Sequence, residues 1–251
     1  MKPLVYLILG VAGSGRREVV ADLIDGGLAA GSAGQPVDLA QSRQSALALL
    51  PAGERAGDAD AGLGRLARWS WTDGRIESPG LEGATHVFFF TDGRRNPVDQ
   101  VEAFQAWLAA SGGELARILF VVNCGLAAQH KELLAWFDAC VHFADVVLLN
   151  RRDGVPNKWM SDFQGRYTAQ FLPCLFEVVK AGRVKNPALI LDSQARRMSH
   201  LFDAEPNWEV TGADEESDEE IEAPPEEDPY LQRRAGGRRV KEIPDIAKYL
   251  A

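Results

Sequence analysis

GVAGSGRREVV, residues 10–20, is the stretch on which the fold turns. It follows a continuous apolar run of strand length, PLVYLIL at 3–9, of the kind buried on both faces of a parallel sheet. It leads into RREVVADLID, where Val19, Val20 and Leu23 recur at helical spacing and Gly26 and Gly27 mark the expected end. A strand that breaks into glycines and then a helix is the setting of a phosphate-binding loop. The glycines let backbone N–H groups converge, and the positive end of the helix faces the same point. Of the pattern GxxxxGK[ST], Gly10 and Gly15 are present with Gly13 between them, but Arg16 holds the lysine position and Arg17 the hydroxyl position. Arg16 keeps the charge on a longer planar fork. Arg17 is the graver change, because a hydroxyl that would ligate Mg²⁺ has become a cation that repels it. Ser14 is suited to helping cradle phosphate. The loop predicts phosphate binding that is weakened or independent of metal, with poor hydrolysis.

The rest of the body alternates strands and helices. THVFFFTDG (85–93), ARILFVVN (116–123) and DVVLLN (145–150) read as buried strands. After Pro97, residues Val98, Val101, Phe104 and Leu108 share a helical face; between Ala127 and Phe137, Leu133, Leu134 and Phe137 do the same. Trp159, Phe163, Tyr167 and Phe171 recur every four residues in a further helix that leads to PCLFEVV. RLARWSWTDGRIES alternates around Asp73-Gly74 as a hairpin does. Between Gly26 and Gly64 the Ala, Gly and Ser content leaves a short strand, PVDLA, as the one placeable element. The pattern predicts an α/β fold: a three-layer, mostly parallel sheet with helices on both faces, plus a disordered acidic C-terminal tail.

Charge is concentrated at the far end. The formal net charge of -9 is carried by Gly212–Asp228, which holds ten acidic residues and no basic one, so the rest is close to neutral. That division suggests a domain over 1–202, an acidic linker over 203–228 and a basic segment over 229–251, where Ile243, Ile246, Tyr249 and Leu250 can form an apolar face. A near-neutral body lacks the basic face a nucleic acid needs. No apolar run approaches the ~20 residues of a membrane span. The apolar start breaks at Gly10 without a cleavage site, so no leader is expected and the cytoplasm is the default. Cys124, Cys140 and Cys174 lie far apart without ligand spacing, which points away from disulfides and zinc. Asp73 and Glu77 read as solvated hairpin residues rather than an acid/base pair, His86 as a hydrogen-bonded residue near the core, and Trp69, Trp71 and Phe88–Phe90 as core.

A second signal lies in ADVVLLNRRDG, residues 144–154. Asn150-x-x-Asp153, at the end of a buried strand late in an α/β domain, suits guanine recognition: the Asp accepts from the base's ring N–H and amine, and the Asn amide supports the site. Arg151 stands at the usual lysine position, with an aliphatic stem able to cover a base.

From about Leu4 to Ile190 the chain resembles the CobW-type metallochaperone GTPases. LILGVAGSGRRE is similar to that family's strand and GxxGxGKT loop. WSWTDGRIES is similar to its strand and TNGCICC motif, with Arg75, Glu77 and Ser78 at the cysteine positions. VFFFTDGRRNP resembles its VIExTGxADP segment, with Phe90 at the acidic position and Gly93 and Pro97 kept. ILFVVNCGLAAQ sits where the family has a VVDA strand, with Asn123 for Asp, and FADVVLLNRRD is similar to ADxxLLNKxD. The resemblance implies a P-loop fold holding GTP or GDP through Gly10, Gly13, Ser14, Gly15, Arg16, Arg17, Asn150 and Asp153. It does not extend metal transfer to this chain, whose cysteine ligands are missing, and neither Mg²⁺ nor zinc is expected. A counterpart of the family's C-terminal domain is not expected, the acidic tail taking its place. Two readings follow: a guanine-nucleotide binder with little or no hydrolysis, or a scaffold of the same fold that engages protein partners through its C-terminal tail without nucleotide.

Overall fold

The apolar runs become neighbouring strands of a single sheet. The computed structural model describes residues 2–28, 39–203 and 227–250. Its elements are β1 (Leu4–Leu9), α1 (Arg16–Leu23), α2 (Leu39–Ser45), β2 (Ala46–Pro51), β3 (Arg65–Thr72), β4 (Arg75–Glu77), β5 (His86–Phe90) and α3 (Pro97–Ser111). They continue with β6 (Glu114–Asn123), α4 (Cys124–Gln129), α5 (Leu134–Phe143), β7 (Val146–Asn150), α6 (Asn157–Thr168), β8 (Leu175–Val178) and α7 (Pro187–Leu191). The strand order is β4-β3-β2-β5-β1-β6-β7-β8, and every neighbouring pair is parallel except β3 with β4. The period of two along β1 sends Val5, Leu7 and Leu9 into a core with α3, α5 and α6, and Tyr6 and Ile8 into a second core with α1 and α7. The expected three-layer α/β architecture is what forms. β1 lies between β5 and β6, so the loop at its carboxyl end opens in the middle of the sheet, where α/β folds place their ligands.

The Asp73-Gly74 turn has both residues at positive φ, 49° and 78°, the geometry that matches the twist of a two-residue hairpin. Other expectations need correction. Of PVDLA, residues 36–38 lie outside the described residues, while Leu39 and Ala40 open α2; the strand is the next run, ALALLP, buried along its length between β3 and β5. The helix after the loop does not stop at Gly26. It runs on as a π-turn through Leu28, because Gly26 and Gly27 lie against Pro187 and Leu191, where a Cβ would come within 2.9 and 2.6 Å. The helix expected around 127–137 is broken by a tight turn at Lys131–Leu133. Phe163 and Tyr167 are buried, but Phe171 lies beyond α6 at φ 56° and is 91% exposed. Trp69 and Phe88–Phe90 are core as expected; Trp71 is only partly buried, with the Arg95 guanidinium over its ring. Among the described residues no helix is long and apolar enough to cross a membrane.

The acidic stretch lies almost wholly in residues 204–226, outside the described residues. The segment after it is docked. Tyr230 and Ile246 are buried in the α3–α5 core, Ile243, Tyr249 and Leu250 pack against it, and Arg239 bridges Asp99 and Glu102 of α3 at 2.6 and 2.7 Å. At its start, Asp228 pairs with His142 Nε2 at 2.8 Å and accepts from the Ser199 hydroxyl and the Tyr230 N–H. Burial pushes this carboxyl up, but those hydrogen bonds outweigh it and hold the group below the ordinary value of 3.8. A pKa lowered by folding contributes stability above the unfolded value and loses it as pH falls through the folded one. Residues 227–250 are therefore expected to stay docked at neutral pH and to loosen as pH falls below about 3.8. Hydrogen exchange of this segment against pH checks it; protection unchanged down to about pH 2 would show that Asp228 is no anchor.

Candidate functional site

The loop after β1 is wedged between three strand ends. Gly10, Gly13 and Gly15 all have positive φ, 142°, 80° and 86°. Gly10 lies against the Val121 carbonyl of β6, and Ala12 N–H donates to the Gly93 carbonyl at 3.0 Å beyond β5. A Cβ on Gly93 would stand 2.3 Å from Ala12 N, so only glycine lets the two backbones meet. Gly15 is the N-cap of α1 and carries no capping side chain, which leaves the first-turn N–H groups of α1 without intrahelical partners at the mouth of a cleft of about 780 Å³. Gly13 is exposed on this cleft with nothing within 4 Å of where its Cβ would be. Ser14 is turned away: its hydroxyl is buried and has no partner among the described residues.

The third strand end supplies the second signal. Asn150 Nδ2 donates to the Ser14 carbonyl at 2.9 Å, and Arg151 Nε donates to the Gly13 carbonyl at 3.2 Å, so β7 holds the loop from behind. Asn150 and Asp153 line an adjoining cleft of about 470 Å³. Arg151 and Glu18, ion-paired at 2.8 Å, line both clefts and form the ridge between them. Tertiary structure thus brings the predicted residues together from segments more than 130 positions apart: Gly13, Gly15, Arg16 and Arg17 on one side of the ridge, Asn150 and Asp153 on the other.

The guanidinium groups of Arg16 and Arg17 are tied to the protein's own acceptors. Arg16 is 5% exposed; its Nη1 donates to the Thr91 carbonyl and its Nη2 to Glu54 Oε1 at 2.6 Å. Arg17 donates to Glu54 Oε2 at 2.7 Å, to Asp60 Oδ1 at 2.8 Å and to the Arg55 carbonyl at 2.9 Å. Burial lowers the Arg16 pKa against the pull of Glu54; Arg17 is raised, because its bonds to Glu54 and Asp60 outweigh its burial. Glu54 and Asp60, in the connection between β2 and β3, are the site residues that the sequence reading did not find. They stand about 40 positions from the loop with no fixed spacing, and the one signal was acids at 54, 58 and 60 in an Ala- and Gly-rich stretch.

Mg²⁺ does not fit this arrangement. Arg17 holds the hydroxyl's place in the sequence and its guanidinium is paired with Glu54 and Asp60, both carboxylates are committed to arginines, and Phe90 is buried at the acidic position. The Asp92 carboxylate closes its own turn, accepting from Arg94 N–H and Arg95 Nε. Among the described residues no three His, Cys, Asp or Glu side chains are gathered to hold a metal. Asp73 and Glu77 are exposed on the hairpin, and His86 bonds to the Thr85 hydroxyl at 2.9 Å with burial lowering its pKa. The three cysteines are buried, which pushes the Cys174 thiol up to about 11 and Cys124 to about 12.

No family model matches the sequence, and no curated protein does. Among solved structures the chain is similar to the zinc-bound YjiA GTPase from E. coli at 13% identity, covering 78% of this chain and 67% of that one, with a TM-score of 0.42. A zinc-bound triple mutant of YjiA has the same identity and coverage, with a TM-score of 0.44. The signal recognition particle receptor FtsY from Elizabethkingia anophelis, in complex with GDP, is 14% identical over 82% of this chain and 65% of its own, with a TM-score of 0.43. At these values the likeness carries no argument about the site, whose reading rests on its own contacts.

Proposed function

We propose that this chain is a degenerate CobW-like nucleotide-binding protein that takes GTP or GDP and has little or no hydrolytic activity. The phosphates lie against the first-turn N–H groups of α1, and the base reaches Asp153 across the Arg151 ridge. The observation that carries this reading is the Asn150 Nδ2 bond to the Ser14 carbonyl, which ties the end of β7 beside the second cleft to the loop beside the first. Turnover is not expected, because Arg17 stands in place of the Mg²⁺-binding hydroxyl and the Glu54 carboxylate is held by Arg16 and Arg17.

Calorimetric titration with GDP, GTP and ATP, each with Mg²⁺ and with chelator, tests it. Guanine-selective binding unchanged by chelation is the expected result, and Asp153→Asn should weaken GDP at least about tenfold by replacing one of the two acceptor oxygens facing the base with an N–H donor. Heat from none of the three nucleotides would overturn the reading. The scaffold reading would then stand. It is favoured by the pairing of Arg16 and Arg17 with the protein's own carboxylates, and it places partner contacts on the C-terminal segment.

A further inference from the structure

We infer that Glu54 is a built-in competitor for the anion site, and that it makes the cleft select polyphosphates over singly charged anions. This inference rests on the loop being a phosphate site. The Glu54 oxygens are split between two cations, Oε1 to Arg16 Nη2 at 2.6 Å and Oε2 to Arg17 Nη2 at 2.7 Å. That is how a phosphate oxygen pair bridges two guanidinium groups. The three side chains are 5%, 14% and 11% exposed, so their attraction is less screened than at an open surface. With Asp60 on the other Arg17 nitrogen, two positive and two negative charges close on themselves beside the mouth of the loop.

The backbone under Glu54 is tied down. Its N–H donates to the Pro51 carbonyl, and its own carbonyl accepts from Arg68 Nη1 at 2.8 Å. Access therefore requires the Glu54 side chain to swing, while the connection stays in place. Two cations remain for an incoming anion: Arg55 and Arg94 line the same cleft, are exposed, and make no side-chain ion pair among the described residues. They attract an anion to the rim. An anion displaces one carboxylate charge from two arginines only if it brings more charge and more oxygens than it removes. A diphosphate or triphosphate does so; chloride or a carboxylate does not.

The test compares the full chain with Glu54→Gln, which keeps the size of the side chain and removes its charge. Inorganic pyrophosphate, GDP and acetate are titrated calorimetrically into both. Pyrophosphate and GDP should bind the variant about tenfold or more tighter, and acetate should bind the wild type not at all. Equal affinity of both proteins for pyrophosphate and GDP would overturn the competitor while leaving the nucleotide reading intact. Binding by the variant alone would support the competitor and remove the nucleotide reading from the wild-type protein. Binding by neither would overturn both. If Glu54→Gln fails to give a cooperative thermal melt, Glu54→Asp, one methylene too short to bridge both arginines, is read by the same outcomes.

Discussion

Gly15→Ala is expected to lose most nucleotide binding and about 3 kcal/mol of stability, through two separate costs at one Cβ. The first is conformational. Gly15 sits at φ 86°, and an L side chain in the left-handed region costs about 1–2 kcal/mol. The second is steric, and it strikes the contact that ties the loop to the end of β7. The new Cβ would stand 2.3 Å from Asn150 Nδ2, so the amide must leave the Ser14 carbonyl it holds. A buried group left unpaired adds about 1–3 kcal/mol. A denaturant melt reads the stability, and GDP calorimetry reads the binding. The sharper control is Gly13→Ala, which has a similar φ but nothing within 4 Å, and should show the conformational cost without the steric one. Equal losses at both positions would show that the Asn150 contact contributes nothing.

A loss of similar size is expected far from the cleft. Asp145 is wholly buried at the start of β7; its Oδ2 accepts from Ile118 N–H at 2.7 Å and its Oδ1 from Arg196 N–H at 2.6 Å, with Arg197 Nη1 at 3.4 Å. Its own backbone links β6 to the residue that opens β8, so one residue joins three strands and the segment after α7. Arg117 of β6 supports α7 and the segment after it, donating to the carbonyls of Leu189 and Ile190 in α7 and of Gln194 beyond it. Asp145→Ala leaves two N–H groups without their acceptor and takes one of two carboxylates from Arg197, which keeps Asp203 at 2.9 Å, and should cost about 4 kcal/mol. Asp145→Asn keeps one acceptor oxygen and should cost about half of that. Urea melts of the two variants decide the matter; a loss below about 1 kcal/mol in Asp145→Ala would mean the segment after α7 holds itself.

Much of the fold is legible in the sequence. β1, β5, β6 and β7 are apolar runs because each is covered on both faces, and Asp73-Gly74 marks its turn because both residues tolerate positive φ. The stretch after Gly26 was opaque for physical reasons. Gly26 and Gly27 read as a helix stop, yet they are there to let Pro187 and Leu191 approach, a contact more than 160 positions away. ALALLP has no β-branched residue and becomes a strand because β3 and β5 flank it. Phe171 keeps the helical spacing but falls past the end of α6, since spacing records phase and not where a helix ends.

By itself the sequence determined the class of fold, the place of the loop, and the identity of the residues that lack lysine, hydroxyl and metal ligands, because periodicity and glycine spacing are local. It left open where the arginines point. Arg16 and Arg17 read as cations offered to phosphate, and the structure turns both toward Glu54, Asp60 and the Thr91 carbonyl. A charged group settles on the acceptors nearest to it in space. Those acceptors come from segments about 40 and 75 positions along the chain, brought to the loop only when the sheet closes around β1.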